Sequence, residues 1–148
     1  MKQKFYPYET SEDYLFFWFE SCSSGCKIPK VVEYEEIEEG TFNLAFGDVD
    51  ENGRLNDSVV SNNGDMHKVL ATVIQTVLTF LEIYPTRRVY FSGNSPARNR
   101  LYRAILSRDI ESWSEMFEVD GILEGERITF QQNINFEGFI VKLKIVDK

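Results

Sequence analysis

Histidine is almost missing from this chain of 148 residues. His67 stands alone, so a histidine-based metal centre is ruled out and a histidine general base has one candidate. His67 has no serine or cysteine partner nearby in sequence and reads as a surface residue. Cysteine is nearly as scarce. Cys22 and Cys26 form a Cys-x3-Cys pair with too few companions to complete a zinc site. They read as free thiols of a reducing compartment, a disulfide across a hairpin being the alternative. No apolar run approaches the roughly 20 residues of a membrane span, and Met1 to Pro7 lacks the apolar centre of a signal peptide. No period of 20 to 50 residues, low-complexity tract or polar linker divides the chain. These absences predict one cytoplasmic domain over residues 1–148.

What is abundant is large and apolar. The composition is 43% hydrophobic, with twelve Phe and seven Tyr, enough to build a core and too much for a disordered chain. Asp13 to Glu20 is aromatic almost throughout and reads as a strand covered at least in part on both faces. Ser23-Ser24-Gly25 reads as a turn, Lys27 to Ile37 as a second strand, and Glu39-Gly40 as the turn before a third, in which Phe42, Leu44 and Phe46 share one face. A meander is the simplest arrangement of the three. From Met66 the polar residues Lys68, Thr72, Gln75, Thr79 and Glu82 recur at steps of 4, 3, 4 and 3 in an otherwise apolar stretch. That spacing predicts a largely buried helix over about 65–84, with Asp65 capping its first amides and Pro85 ending it. Residues 87–91 read as a strand and 95–107 as a second helix, with Ser95 as N-cap and Pro96 at the first position. Asp109 to Met116 adds a short helical turn, and segments around 117–119, 127–130 and 136–145 have strand character. The fold class expected is α+β, an antiparallel sheet packed against both helices on one face. Trp18 and Trp113 read as core or near-core aromatics.

The net charge of −8 argues against non-specific nucleic-acid binding by the chain as a whole. That average conceals an island. Pro85 to Arg108 holds six arginines and no acid, while the remaining 10 bases face 24 acids, a net of −14. Arginine's planar fork matches phosphate or carboxylate. The island spans a strand–turn–helix junction, where free amides and a glycine can cradle an anion. Arg98 in the first helical turn opposes the helix macrodipole unless an anion sits beside it. Candidate anion-binding residues are therefore Ser92, Gly93, Asn94, Ser95, Arg98, Arg100 and Arg103. The plainer alternative pairs these arginines with Glu33, Glu35 or Glu36 of the same chain or a second copy. The glycine and lysine pattern of a P-loop and the three glycines of a dinucleotide fingerprint are both missing.

Asp48, Asp50, Asn52 and Gly53 match positions 1, 3, 5 and 6 of a calcium loop, but the closing carboxylate would fall on Val59. A turn explains the same residues, and no metal is expected there. Ser61-Asn62-Asn63-Gly64-Asp65 likewise reads as a tight turn leading into a helix. No pair of carboxylates stands out as catalytic, and no cofactor is called for.

The succession Phe42-Asn43-Leu44-Ala45-Phe46-Gly47-Asp48, Ser61 to Asp65, Val69 to Val73 and Gly93 to Arg103 resembles an uncharacterised family of short bacterial proteins, chiefly from Bacteroidetes. Its members carry a Gly-Ser/Asn-Ser/Thr-x-Ala-Arg-x-Arg-Leu-Tyr segment after a strand. The likeness runs from about Tyr14 to Leu143, with Asn94 and Asn99 where Ser and Thr are more usual. It implies a stand-alone cytoplasmic protein and brings no known activity. The function expected is recognition of a phosphate, nucleotide or nucleic-acid backbone at the arginine island. The rival is an interaction module or homodimer that meets an acidic surface, and a metal-dependent hydrolase at Asp48 and Asp50 has less behind it.

Overall fold

The computed structural model describes residues 4–23, 25–56, 64–93 and 95–144. Alternation decides the sheet. In β2 (Phe16–Ser23), Phe17 and Phe19 point into the core, while Phe16 and Trp18 are 37% and 38% exposed on the opposite side. The aromatic run is thus buried on one face and only partly covered on the other, and Trp18 lies outside the core. β2 pairs with β1 (Glu9–Thr10) and with β3 (Cys26–Glu38), which pairs with β4 (Thr41–Val49); all three pairings are antiparallel, as the meander requires. Gly25 and Gly40 take φ of 77° and 78° at the two hairpin turns, where a side chain would be strained. The short β5 (Leu55–Asn56) returns antiparallel to β4.

Helix α1 (Met66–Ile83) follows, then β6 (Arg88–Phe91), which lies parallel to β4. A parallel neighbour demands a crossover connection, and α1 supplies it. Every other pairing among the described strands is antiparallel, so the sheet is mostly antiparallel, as expected, with one parallel pairing that makes it mixed. Helices α2 (Pro96–Arg108) and α3 (Ile110–Trp113) lead into β7 (Phe117–Leu123), β8 (Glu126–Thr129) and β9 (Gly138–Leu143). The strand order is β1-β2-β3-β4-β6-β9-β7-β8, with β5 beside β4, so the last strand sits inside the sheet between β6 and β7.

The helices cover one face of the sheet. Phe17, Val32, Tyr34, Phe42, Val89, Phe91, Phe139 and Val141 project toward them and are buried. Tyr34 stacks on Phe80 of α1 at 4.3 Å between centroids, and Tyr102 of α2 meets Phe91 edge-on at 4.9 Å. The other face carries Phe16 stacked on Trp18 at 6.0 Å and the ion pairs Lys142–Glu118 and Arg127–Asp120. On the covered face Lys30, with its side chain fully buried, is held by Asp48 at 2.5 Å. A charge in that position is tolerable only when paired.

The polar stripe of α1 is closed over by the start of the chain. The Tyr6 amide donates to Thr72 Oγ1 at 2.8 Å, the Tyr8 hydroxyl meets Thr79 Oγ1 at 2.6 Å, and Lys68 lies 4.1 Å above the Tyr6 ring. Asp65 stands at the N-cap without capping: its Oδ2 accepts instead from Tyr6 and Ser21 hydroxyls at 2.5 and 2.6 Å. Among the described helices, α1 alone has the length and hydropathy to cross a membrane, yet 56% of it is buried inside this fold.

Candidate functional site

The junction between β6 and α2 forms as its residues dictate. Ser95 is extended (φ −157°, ψ 152°) and its hydroxyl accepts from the Arg98 amide at 3.2 Å, while Pro96 occupies the first position. Gly93 is required by crowding. A Cβ there would lie 2.4 Å from the Cβ of Arg98 and 2.9 Å from the Asn99 nitrogen. The loop therefore packs directly against the first helical turn.

That packing engages the groups expected to cradle an anion. The Gly93 amide donates to Asn99 Oδ1 at 2.7 Å, and the Ser92 hydroxyl donates to the Glu137 carbonyl at 2.9 Å. Asn99 Nδ2 reaches the same carbonyl at 3.2 Å. With the Arg98 amide capped by Ser95, two of the backbone donors of this turn, those of Gly93 and Arg98, are taken up inside the chain. Asn94 lies outside the described residues. Asn99, read only as part of a motif, is the residue that ties loop, helix and residue 137 together; no short-range spacing signals that role.

The arginines divide into two groups. Arg87 is a packing residue, its guanidinium 3.7 Å from the Tyr84 ring centroid and 4.5 Å from that of Phe42. Arg88 Nε and Nη2 both donate to Thr41 Oγ1, at 3.2 and 3.0 Å. Arg98, Arg100, Arg103 and Arg108 lie along α2, and none of them forms an ion pair among the described residues; the pairs found there use Lys30, Lys142 and Arg127. Glu33, Glu35 and Glu36 sit on β3, and the Glu36 carboxylate accepts from the Gly40 amide at 3.0 Å. Arg100 is exposed and lines a cleft of about 360 Å3 with Ser95, Asn99, Asn135 and Glu137. Arg103 is half-buried and donates to Asn135 Oδ1 at 2.5 Å beside that cleft. Arg98 is half-buried too, and its charge opposes the rise that burial imposes on the Tyr102 hydroxyl pKa. Of the seven residues proposed from sequence, Ser95 and Arg100 line one cleft, Arg103 borders it, and Ser92 and Gly93 are bound into the loop.

Asp50 Oδ1 accepts from the Asn52 and Arg54 amides at 2.8 and 2.9 Å, which closes the hairpin between β4 and β5. Asp48 is held by Lys30, and Asn52 is exposed. Val59, the last position of the calcium pattern, lies outside the described residues. Among the described residues no group of three or more His, Cys, Asp or Glu side chains is placed to hold a metal ion. His67 is exposed, and Cys22 and Cys26 are exposed free thiols.

A second concavity had no counterpart in the sequence reading. A cavity of about 190 Å3 opens between α1, α2, α3 and the sheet, walled by Ile74, Leu78, Leu106, Trp113 and Val119 with Gln75 and Asp109 among them. Gln75 was visible in sequence only as one member of a polar stripe, with nothing to show that α2 and α3 would enclose it.

The chain belongs to a family of unknown function, DUF6934, which it matches over residues 2–144. No curated protein and no solved structure matches it.

Proposed function

We propose that the chain is a binding protein that recognises an anionic group, a phosphate, nucleotide or nucleic-acid backbone, with the arginines of α2. The observation that carries this reading is that Arg98, Arg100, Arg103 and Arg108 have no carboxylate partner among the described residues of a chain with a net charge of −8. Four arginines on one helix, without an ion pair among the described residues, give a local positive field able to draw an anion. Recognition rests mainly on the guanidinium groups, because the Gly93 and Arg98 amides are bonded within the turn. Arg100 in its cleft is the first contact, with Arg103 beside it. The family segment with its two arginines, the distribution chiefly in Bacteroidetes and a cytoplasmic setting suited to the exposed thiols belong to the same proposal.

The test is thermal unfolding at fixed salt with phosphate, pyrophosphate, nucleotides and short RNA. A ligand at 100 times its dissociation constant raises stability by roughly 2.7 kcal/mol. Arg100 is exposed and has no ion-pair partner among the described residues, so Arg100→Glu leaves the unliganded stability within about 0.5 kcal/mol of the parent and abolishes the ligand shift. A flat response across the panel overturns the reading.

One observation favours a protein partner instead. Glu20, Glu33 and Glu35 share the helix-free face with the exposed Phe16 and Trp18, a surface complementary to the α2 arginines of a second copy. Light scattering of Arg103→Glu against the parent separates the two: loss of an oligomer with no ligand effect supports the partner. A metal-dependent hydrolase at Asp48 and Asp50 has the least support, since Lys30 and turn amides already engage those carboxylates.

A further inference from the structure

The cavity beneath α1 and α2 is distinct from the arginine cleft and has the opposite charge. Its walls are mostly apolar, and every formally charged side chain on them is a carboxylate, Glu82 or Asp109; no Lys, Arg or His lines it. Gln75, also on the wall, carries a buried oxygen, Oε1, with no hydrogen-bond partner among the described residues. A buried acceptor left unmet costs free energy that an incoming donor recovers. Glu82, Ser112 and Met116 are exposed and mark the mouth.

Size limits the occupant. An apolar cavity of about 150 Å3 accepts benzene, whereas drug-sized pockets begin near 300 Å3. At about 190 Å3 this one fits a single aromatic ring with a short tail. Polarity limits it further. A neutral hydrocarbon leaves Gln75 Oε1 unmet, and a carboxylate ligand would face two like charges. A primary ammonium supplies three donors and a positive charge.

We propose that this cavity binds a small primary amine on an aromatic or short alkyl frame. The apolar body lies against Ile74, Leu78, Leu106 and Trp113, and the ammonium group meets the Gln75 carbonyl oxygen in the field of Asp109 and Glu82.

The experiment is a backbone-amide NMR titration of the full chain with phenethylamine, propylbenzene and 3-phenylpropanoate, three ligands of similar shape and different charge. Phenethylamine shifts the amides of Leu106, Ser112 and Met116 and binds roughly tenfold tighter than propylbenzene, while the carboxylate does not bind. Gln75→Leu removes the unmet acceptor, so its unliganded midpoint rises and the preference for the amine shrinks. Ser112→Trp, at the exposed mouth, blocks entry without touching the core. Arg100→Glu leaves the amine titration unchanged, which separates this site from the anion reading. The absence of shifts around the cavity, equal binding of amine and hydrocarbon, or binding of the carboxylate each overturns the proposal.

Discussion

Gly93 is crowded on the side where a Cβ would stand by the first turn of α2. Its place in a strand–turn–helix junction suggested a backbone amide offered to a ligand, but the amide is bonded to Asn99 and the missing side chain makes room for Arg98. Sequence marks the glycine; only the folded turn shows what fills the space beside it. Gly93→Ala forces the loop off the helix, and urea unfolding is expected to show a loss of about 2 kcal/mol. Asp65 repeats the lesson, since its position as N-cap was legible but its partners Tyr6 and Ser21 lie 59 and 44 residues away. The buried tyrosines carry a pH dependence. Burial raises the hydroxyl pKa of Tyr34 and Tyr102 above the ordinary value of 10.0, and that of Tyr6 is raised by burial and then by its bond to Asp65. The unfolded chain therefore ionises first. Stability holds at its full value below pH 10 and falls as pH climbs from there through the raised folded-state values. Thermal midpoints measured from pH 8 to 11 should show this alkaline loss, and Tyr102→Phe should make it shallower.

At the scale of elements, the helices were legible because their periodicity is local. α1 and α2 fall within a residue or two of the boundaries read from apolar spacing, Ser95 and Pro85. The strand pairings were legible only where a hairpin joins neighbours, as in β2, β3 and β4. The parallel contact of β4 with β6 was missed because residues 47–65 hide the strand–helix–strand pattern that predicts a crossover. The segment before β1 was also missed. Tyr6 has no periodic signal, yet it is buried, lies 6.1 Å from Phe19 between ring centroids and bonds to both α1 and β2. Tyr6→Ala removes a buried ring and uncovers Thr72, and chemical unfolding is expected to register a loss of about 3 kcal/mol. Tyr6→Phe keeps the ring and loses only the hydrogen bonds of the hydroxyl, so its cost should be nearer 1 kcal/mol.

Across the whole molecule, the sheet has one face under helices and one face bearing aromatics and ion pairs, and its charge is just as unevenly divided. The concentration of arginine was plain from composition. Which arginines are consumed by packing was not, because Arg87 and Arg88 differ from Arg100 only in what the fold brings to them. The strand order sets a condition on how the protein can be made. β9 fills the gap between β6 and β7, so these strands cannot join one sheet until residues 138–143 have been synthesised. The first four strands need no such wait, since each pairs with the strand next to it in the chain. A nascent chain arrested before residue 138 should thus resist protease across the meander and be cut readily between β6 and β8. The last of the described strands is the one that closes the sheet, and until it emerges the facing edges of β6 and β7 are bare backbone donors and acceptors, open to pairing with another chain.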